Sequence, residues 1–151
     1  MKVPLSVKRK ENGEVGVFAE ESFGVGKLVL KLKGDWISEP TKHSIQIGER
    51  HLDSAMGGYL NHHCNPNTRV VLQVESLNKE VHYVPLFTRI QGSLTSVTIA
   101  NPHPVLIAIR TIGAGEEITF DYETTEPILA APFKCNCHGR WIRGKIHRYQ
   151  E

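Results

Sequence analysis

Glycine interrupts this chain at short intervals and leaves room mainly for brief extended runs. Gly13, Gly34, Gly57-Gly58, Gly92, Gly113 and Gly115 mark turns, and the helical apolar repeat is weak throughout. Lys27–Gly34 alternates, which predicts Leu28, Leu30 and Leu32 on one strand face and Val29, Lys31 and Lys33 on the other. Arg69–Val74 places Val70, Leu72 and Val74 on one face, and Val81–Val84 and Ser96–Ile99 are rich in strand formers. Val105–Ile109 is continuously apolar, which predicts a strand buried on both faces. A short helix around His51–Met56, or in the last ten residues, is the weaker alternative to strands there. The expected class is mainly β, built from several small sheets.

A length of 151 residues suits one domain, and 40% hydrophobic with 23% charged residues argues for a folded core and against disorder. The formal net charge is only +2, with basic residues gathered at Lys8-Arg9-Lys10 and Arg140 to Arg148. That bias does not call for nucleic acid, and solvated terminal charges account for it equally well. No direct nucleic-acid binding is expected. No apolar run approaches the roughly 18 residues of a membrane helix, and the N-terminus lacks a signal-like hydrophobic region. The expected protein is therefore neither membrane-spanning nor secreted. Three cysteines are an odd number, which favours reduced or metal-bound thiols in an intracellular protein over a disulfide framework.

Three segments carry chemistry. Tyr59–Asn67 packs Asn, His and Cys around Pro66 and cannot be a plain strand or helix interior. His62, His63 and Cys64 fit a metal site, a thiol nucleophile or a polar surface loop, and composition does not separate these. Ile112–Tyr122 runs from a glycine turn into a strand ending Phe120-Asp121-Tyr122, with the two aromatic rings on one face and Asp121 on the other. Phe133–Gly144 holds Cys135 and Cys137 near glycine, half of a zinc site, with Cys64 the other available thiol.

Together these segments resemble the SET-domain lysine methyltransferases. Asn61-His62-His63-Cys64-Asn65-Pro66-Asn67 matches that family's Asn-His-Ser-Cys-x-Pro-Asn. Gly115-Glu116-Glu117-Ile118-Thr119-Phe120-Asp121-Tyr122 matches its Gly-Glu-Glu-Leu/Ile-Thr-x-Asp-Tyr. Cys135-Asn136-Cys137 resembles the start of its cysteine-rich post-SET segment, and Gly16-Val17-Phe18-Ala19 resembles its N-terminal glycine motif. The resemblance runs from about Glu14 to Ile146. It implies a SET fold of small sheets with a knot-like C-terminal segment: a SET domain over 1–132, an insertion-like stretch near 75–104, and a post-SET-like tail over 133–151. The departures are Glu14 where the first glycine of Gly-x-Gly belongs, or else its displacement to Gly13, Gly58-Tyr59 for the Arg-Phe before the Asn-His motif, His63 for Ser, His138 for the glycine after Cys-x-Cys, and Ile142 for the third post-SET cysteine.

The resemblance implies S-adenosylmethionine as methyl donor and a protein or peptide lysine, a histone tail among the candidates, as acceptor. Tyr122 is implied to orient the amine. Phe120, lacking a tyrosine hydroxyl, implies room for di- or trimethylation, with plain packing as its other role. Glu14, Val15, Gly16, Val17, Asn61, His62 and Tyr122 are implied to contact the cofactor. Trp141 is either a lid over the site or a packed tail residue. Zinc would be held by Cys64, Cys135 and Cys137, with His138 or water completing the set; the alternative is a metal-free tail with buried thiols. The implied location is the nucleus in a eukaryote, otherwise the cytoplasm or a host cell. His43, His51, His82, His103 and His147 belong to no motif and are expected at the surface. A non-catalytic SET-like interaction module is the main rival. A zinc or thiol hydrolase using His62, His63 and Cys64 lacks any supporting acid–base constellation.

Overall fold

The computed structural model describes residues 4–47, 50–76, 78–86 and 100–145. Its strands, numbered along the chain, form four small sheets. The first has the order β1 (Leu5–Arg9), β2 (Val15–Ala19), β11 (Glu117–Phe120), β7 (Asn61–His62). The second runs β3 (Leu28–Lys31), β10 (Ala100–Ala108), β8 (Thr68–Glu75), β9 (Val81–Pro85). A third pairs β4 (Gly34–Ile37) and β5 (Ile45–Ile47) on either side of β6 (Arg50–Ser54), and the fourth is the ribbon of β12 (Phe133–Lys134) and β13 (Trp141–Ile142). The only described helical elements with assigned bounds are single 3-10 turns at Gly57–Tyr59 and Tyr122–Thr124. No described helix is long and apolar enough to cross a membrane.

The sheets share one core. Val17, Leu32, Leu52, Leu60, Leu106, Ile112, Ile118 and Phe120 are all but sealed from solvent. Strand β10 is central to its sheet, and Val105 and Leu106 are fully buried, as its unbroken apolar run predicts; Ile109, beyond the strand, is exposed. In β3 the pattern differs from the alternation read in the sequence. Val29 is buried and Leu28 and Leu30 are half-buried, because Val29 meets the common core while Leu32 enters it beyond the strand end.

Residues His51–Ser54 belong to β6 rather than to a helix. Its hydrogen bonding to both β4 and β5 outweighs a local preference that was weak to begin with. His51 is buried rather than superficial, because that central strand carries it inward. The strand expected at Ser96–Ile99 lies outside the described residues. Within the stretch 75–104, a turn at Ser76–Glu80 joins β8 to β9, and β10 begins at Ala100.

The tail is fastened beside the segment that follows Tyr122. The Leu129 amide donates to Arg143 O and the Lys145 amide to Glu126 O, both at 2.8 Å. At this crossing Gly144 has φ +128°, and a Cβ there would lie 2.3 Å from Pro127 O. Only glycine lets the two backbones approach so closely.

Candidate functional site

A cavity of about 860 Å³ opens where five stretches of chain meet: 10–15, 41–45, 57–63, 117–126 and 129–137. Its central wall is β7 lying parallel to β11, with Asn61 opposite Thr119 and His62 opposite Phe120. This pairing brings together two motifs about sixty positions apart in sequence.

Asn61 is held on two sides. Its side-chain amide donates to Val15 O at 2.9 Å and to Glu117 Oε2 at 2.7 Å. Glu117 also receives Lys10 Nζ at 3.1 Å, and Lys10 lies 3.4 Å from Glu14. Gly16 makes this arrangement possible, because a Cβ there would stand 2.5 Å from Glu117 Oε2. The glycine motif thus brings β2 against the carboxylate that orients Asn61.

The His62 ring is buried. Its Nδ1 accepts the Tyr122 amide proton at 3.0 Å, which puts the ring proton on Nε2, 3.2 Å from Cys64 Sγ. Burial is the main cause that lowers its pKa to about 4, against the opposing pull of Asp121 and Glu123. His62 is therefore a neutral strut. It also packs edge-on against the rings of Tyr122 (5.3 Å) and Phe133 (5.7 Å).

Tyr122 sits in the 3-10 turn just past β11, its ring 5.0 Å from that of Phe120. Its hydroxyl donates to Leu60 O. Burial first, then the carboxylates of Glu117, Glu126 and Glu14, push its pKa well above the ordinary tyrosine value. The hydroxyl stays protonated, and the three carboxylates give its surroundings a negative field.

Behind this wall, the ligand atoms of Cys64, Cys135, Cys137 and His138 all lie within 4.8 Å of one another. A zinc tetrahedron with Zn–S bonds of about 2.3 Å has edges of about 3.8 Å. The Cys64–Cys135 sulfur separation is 3.8 Å. Burial and the contact with Cys137 raise the Cys64 pKa to about 12. Burial also acts to raise that of Cys135, but the amides of His138 and Arg140 with the neighbouring thiols outweigh it and bring it to about 6. Ile142, where the family pattern puts a further cysteine, is instead fully buried beside Leu129 and Cys135.

Of the residues expected to contact a cofactor, Glu14, Val15, Asn61, His62 and Tyr122 line the cavity, as do Phe120 and Cys137. Gly16 and Val17 are not part of the lining: Gly16 stands against Glu117 and Asn61, and Val17 is sealed in the core. Trp141 is 57% exposed on β13 and is not part of the lining. Tyr59 and His43 do line it, and the His43 Nδ1 is 3.1 Å from Gly58 O.

Four residues without an assigned role matter here. Glu117 stood inside a recognised motif, and alternation from Gly115 put it in phase with Thr119. Glu123 is 1% exposed and takes Arg140 Nη2 at 2.8 Å and the Gly144 amide at 3.1 Å. Arg140 in turn reaches Cys64 Sγ at 3.7 Å. Glu126 borders the cavity and accepts the Gln46 amide at 3.0 Å. Nothing local in the sequence marks Glu123, Glu126 or Arg140.

Several solved structures share this fold. A Plasmodium falciparum protein described as a histone methyltransferase is 16% identical, with a TM-score of 0.53, covering 81% of this chain and 95% of its own. KRYPTONITE in complex with mCHH DNA, an H3(1–15) peptide and SAH is 19% identical, with a TM-score of 0.57 over 93% of this chain. KRYPTONITE with mCHG DNA and SAH gives 20% and 0.59, again over 93% of this chain. This chain spans 30% and 29% of those two KRYPTONITE chains. Among curated proteins no match is found. The family model for the SET domain matches residues 37–123, a span that contains both walls of the β7–β11 pairing and more than half of the chain; this chain belongs to the SET-domain family.

Proposed function

We propose that this chain transfers methyl groups from S-adenosylmethionine to the ε-amine of a lysine in a protein. The observation that carries this reading is the β7–β11 pairing, which sets Asn61, His62, Phe120 and Tyr122 on one cavity wall. The residues present suit the donor. The cavity volume falls in the range of small-molecule sites, and the carboxylates around Tyr122 favour a cationic ligand. Two KRYPTONITE structures holding SAH in the same fold support the same cofactor class.

The lining suggests a division of labour. Asn61, His62, Glu14 and Val15 would hold the cofactor. When bound, it supplies a methyl group on a cationic sulfur; the lysine nitrogen forms the new N–C bond as the S–C bond breaks, and the amine's proton leaves to water. Free lysine has a pKa of about 10.4, so the amine must first lose a proton, and an apolar channel beside a cation favours that loss. The Tyr122 hydroxyl donates its hydrogen bond to Leu60 O, so its oxygen keeps lone pairs to accept from the substrate nitrogen. As a neutral hydroxyl it orients the amine and does not abstract its proton. Phe120 adds no hydroxyl, which leaves room for two or three methyl groups.

Cys64, Cys135, Cys137 and His138 would hold one zinc ion in a structural role, fastening the tail that forms one cavity wall. The substrate class is a lysine-bearing protein segment, with a histone tail as the first candidate, given the H3(1–15) peptide in one KRYPTONITE complex.

Calorimetric titration with S-adenosylmethionine, beside an Asn61→Ala control, tests the reading. Binding that is lost in the control supports it. A folded chain that fails to bind, with or without candidate lysine peptides, is instead a non-catalytic SET-like interaction module.

A further inference from the structure

We infer that Glu126 is a specificity-determining residue of this site, its carboxylate receiving the ε-ammonium of the substrate lysine as it enters the cavity. The inference rests on the methyltransferase reading above. The backbone fixes Glu126 relative to Tyr122, since its amide donates to Tyr122 O at 2.9 Å. Its side chain is 8% exposed and borders the cavity that Tyr122 lines. The carboxylate accepts the Gln46 amide at 3.0 and 3.2 Å and the Thr125 hydroxyl. Both donors are neutral.

The other two carboxylates that act on Tyr122 already have a cation, because Glu117 and Glu14 lie 3.1 and 3.4 Å from Lys10 Nζ. Among the described residues, no Lys, Arg or His stands at ion-pair distance from Glu126. A buried carboxylate without a counter-ion is costly, so a cation delivered to it gains an ion pair in a weakly screened place. Glu126 is thus the cavity carboxylate left over for a substrate cation. A purely structural role competes with this one: β5 pairs with β6 on one edge only, and Glu126 fastens the Gln46 amide of β5.

The two roles separate experimentally. The chain, saturated with S-adenosylhomocysteine, is titrated with N-acetyl-lysine methylamide and with its norleucine counterpart, and the amide resonances of Gln46 and Glu126 are followed. The lysine compound is expected to bind roughly tenfold more tightly, the worth of one hydrogen bond to a charged group. Glu126→Gln, which keeps an acceptor for Gln46, is expected to erase that ratio. Glu126→Asp, charged but shorter, is expected to keep part of it. Equal affinities in the unsubstituted chain, no binding of either compound, or a Glu126→Gln chain that still prefers lysine would overturn the assignment. Failure of S-adenosylhomocysteine itself to bind would overturn the methyltransferase reading as well, whereas its binding without a lysine preference overturns only the role of Glu126.

Discussion

Replacing Glu123 by Gln should loosen the tail. The carboxylate is buried and gathers the Arg140 guanidinium (2.8 Å), the Gly144 amide (3.1 Å) and the Arg143 amide (3.3 Å). A hydrogen bond to a charged group contributes about 1.5–3 kcal/mol. Gln retains one acceptor oxygen but turns an NH2 toward the remaining donors. Arg140 keeps 29% exposure, so water recovers part of the ion pair. The net cost is about 2–4 kcal/mol, or a fall in Tm of roughly 5–12 °C for a chain of this size.

The same site has a pH signature. Burial alone would raise the Glu123 pKa, but the Gly144 amide, Arg140 and the Arg143 amide more than offset it and hold it below the ordinary glutamate value. A carboxylate held low contributes in full above its unfolded pKa of about 4.3 and loses that contribution as pH falls through the lower folded value. Thermal melts at pH 7 and along a descending pH series provide the check. The gap between the two proteins should be widest near neutrality and close in acid. A variant melting within about 1 °C of the unsubstituted chain at pH 7, or a gap that ignores pH, would refute the account.

Tyr122→Phe should lower methyl transfer by about a hundredfold or more through lost alignment, while S-adenosylmethionine titration shows binding retained. Phe120→Tyr adds a hydroxyl beside the same ring and should shift products toward monomethyl lysine, read by mass spectrometry; an unchanged product distribution would count against the role given to Phe120. Metal analysis should find about one zinc per chain, falling sharply in Cys135→Ser. A metal-free but fully folded chain would leave Arg140 and Glu123 as the fastening of the tail.

The two long motifs were legible because their chemistry is written locally. Asn61-His62 and Asp121-Tyr122 sit beside turn-forming residues at fixed offsets, and the unbroken run at Val105–Ile109 announced a buried strand, which ends at Ala108 and leaves Ile109 exposed. The fate of lone charges was not legible. Glu123 and Glu126 follow Tyr122 in a stretch that reads as polar turn, and they are buried by residues 143–145 and by β5. His51 went unrecognised for the same reason, since only its pairing with β4 and β5 carries it inward. Burial of this kind is decided by segments far away in sequence, and no local period records it. In β3, alternation was the wrong guide because both faces of the strand find partial cover.

The cavity is closed by stretches far apart in sequence, and 129–137 follows all the others in order of synthesis. Until that stretch and Arg140 emerge from the ribosome, the Glu123 carboxylate and the Cys64 thiol await their partners. During that interval the half-built cavity exposes apolar side chains that a chaperone can recognise.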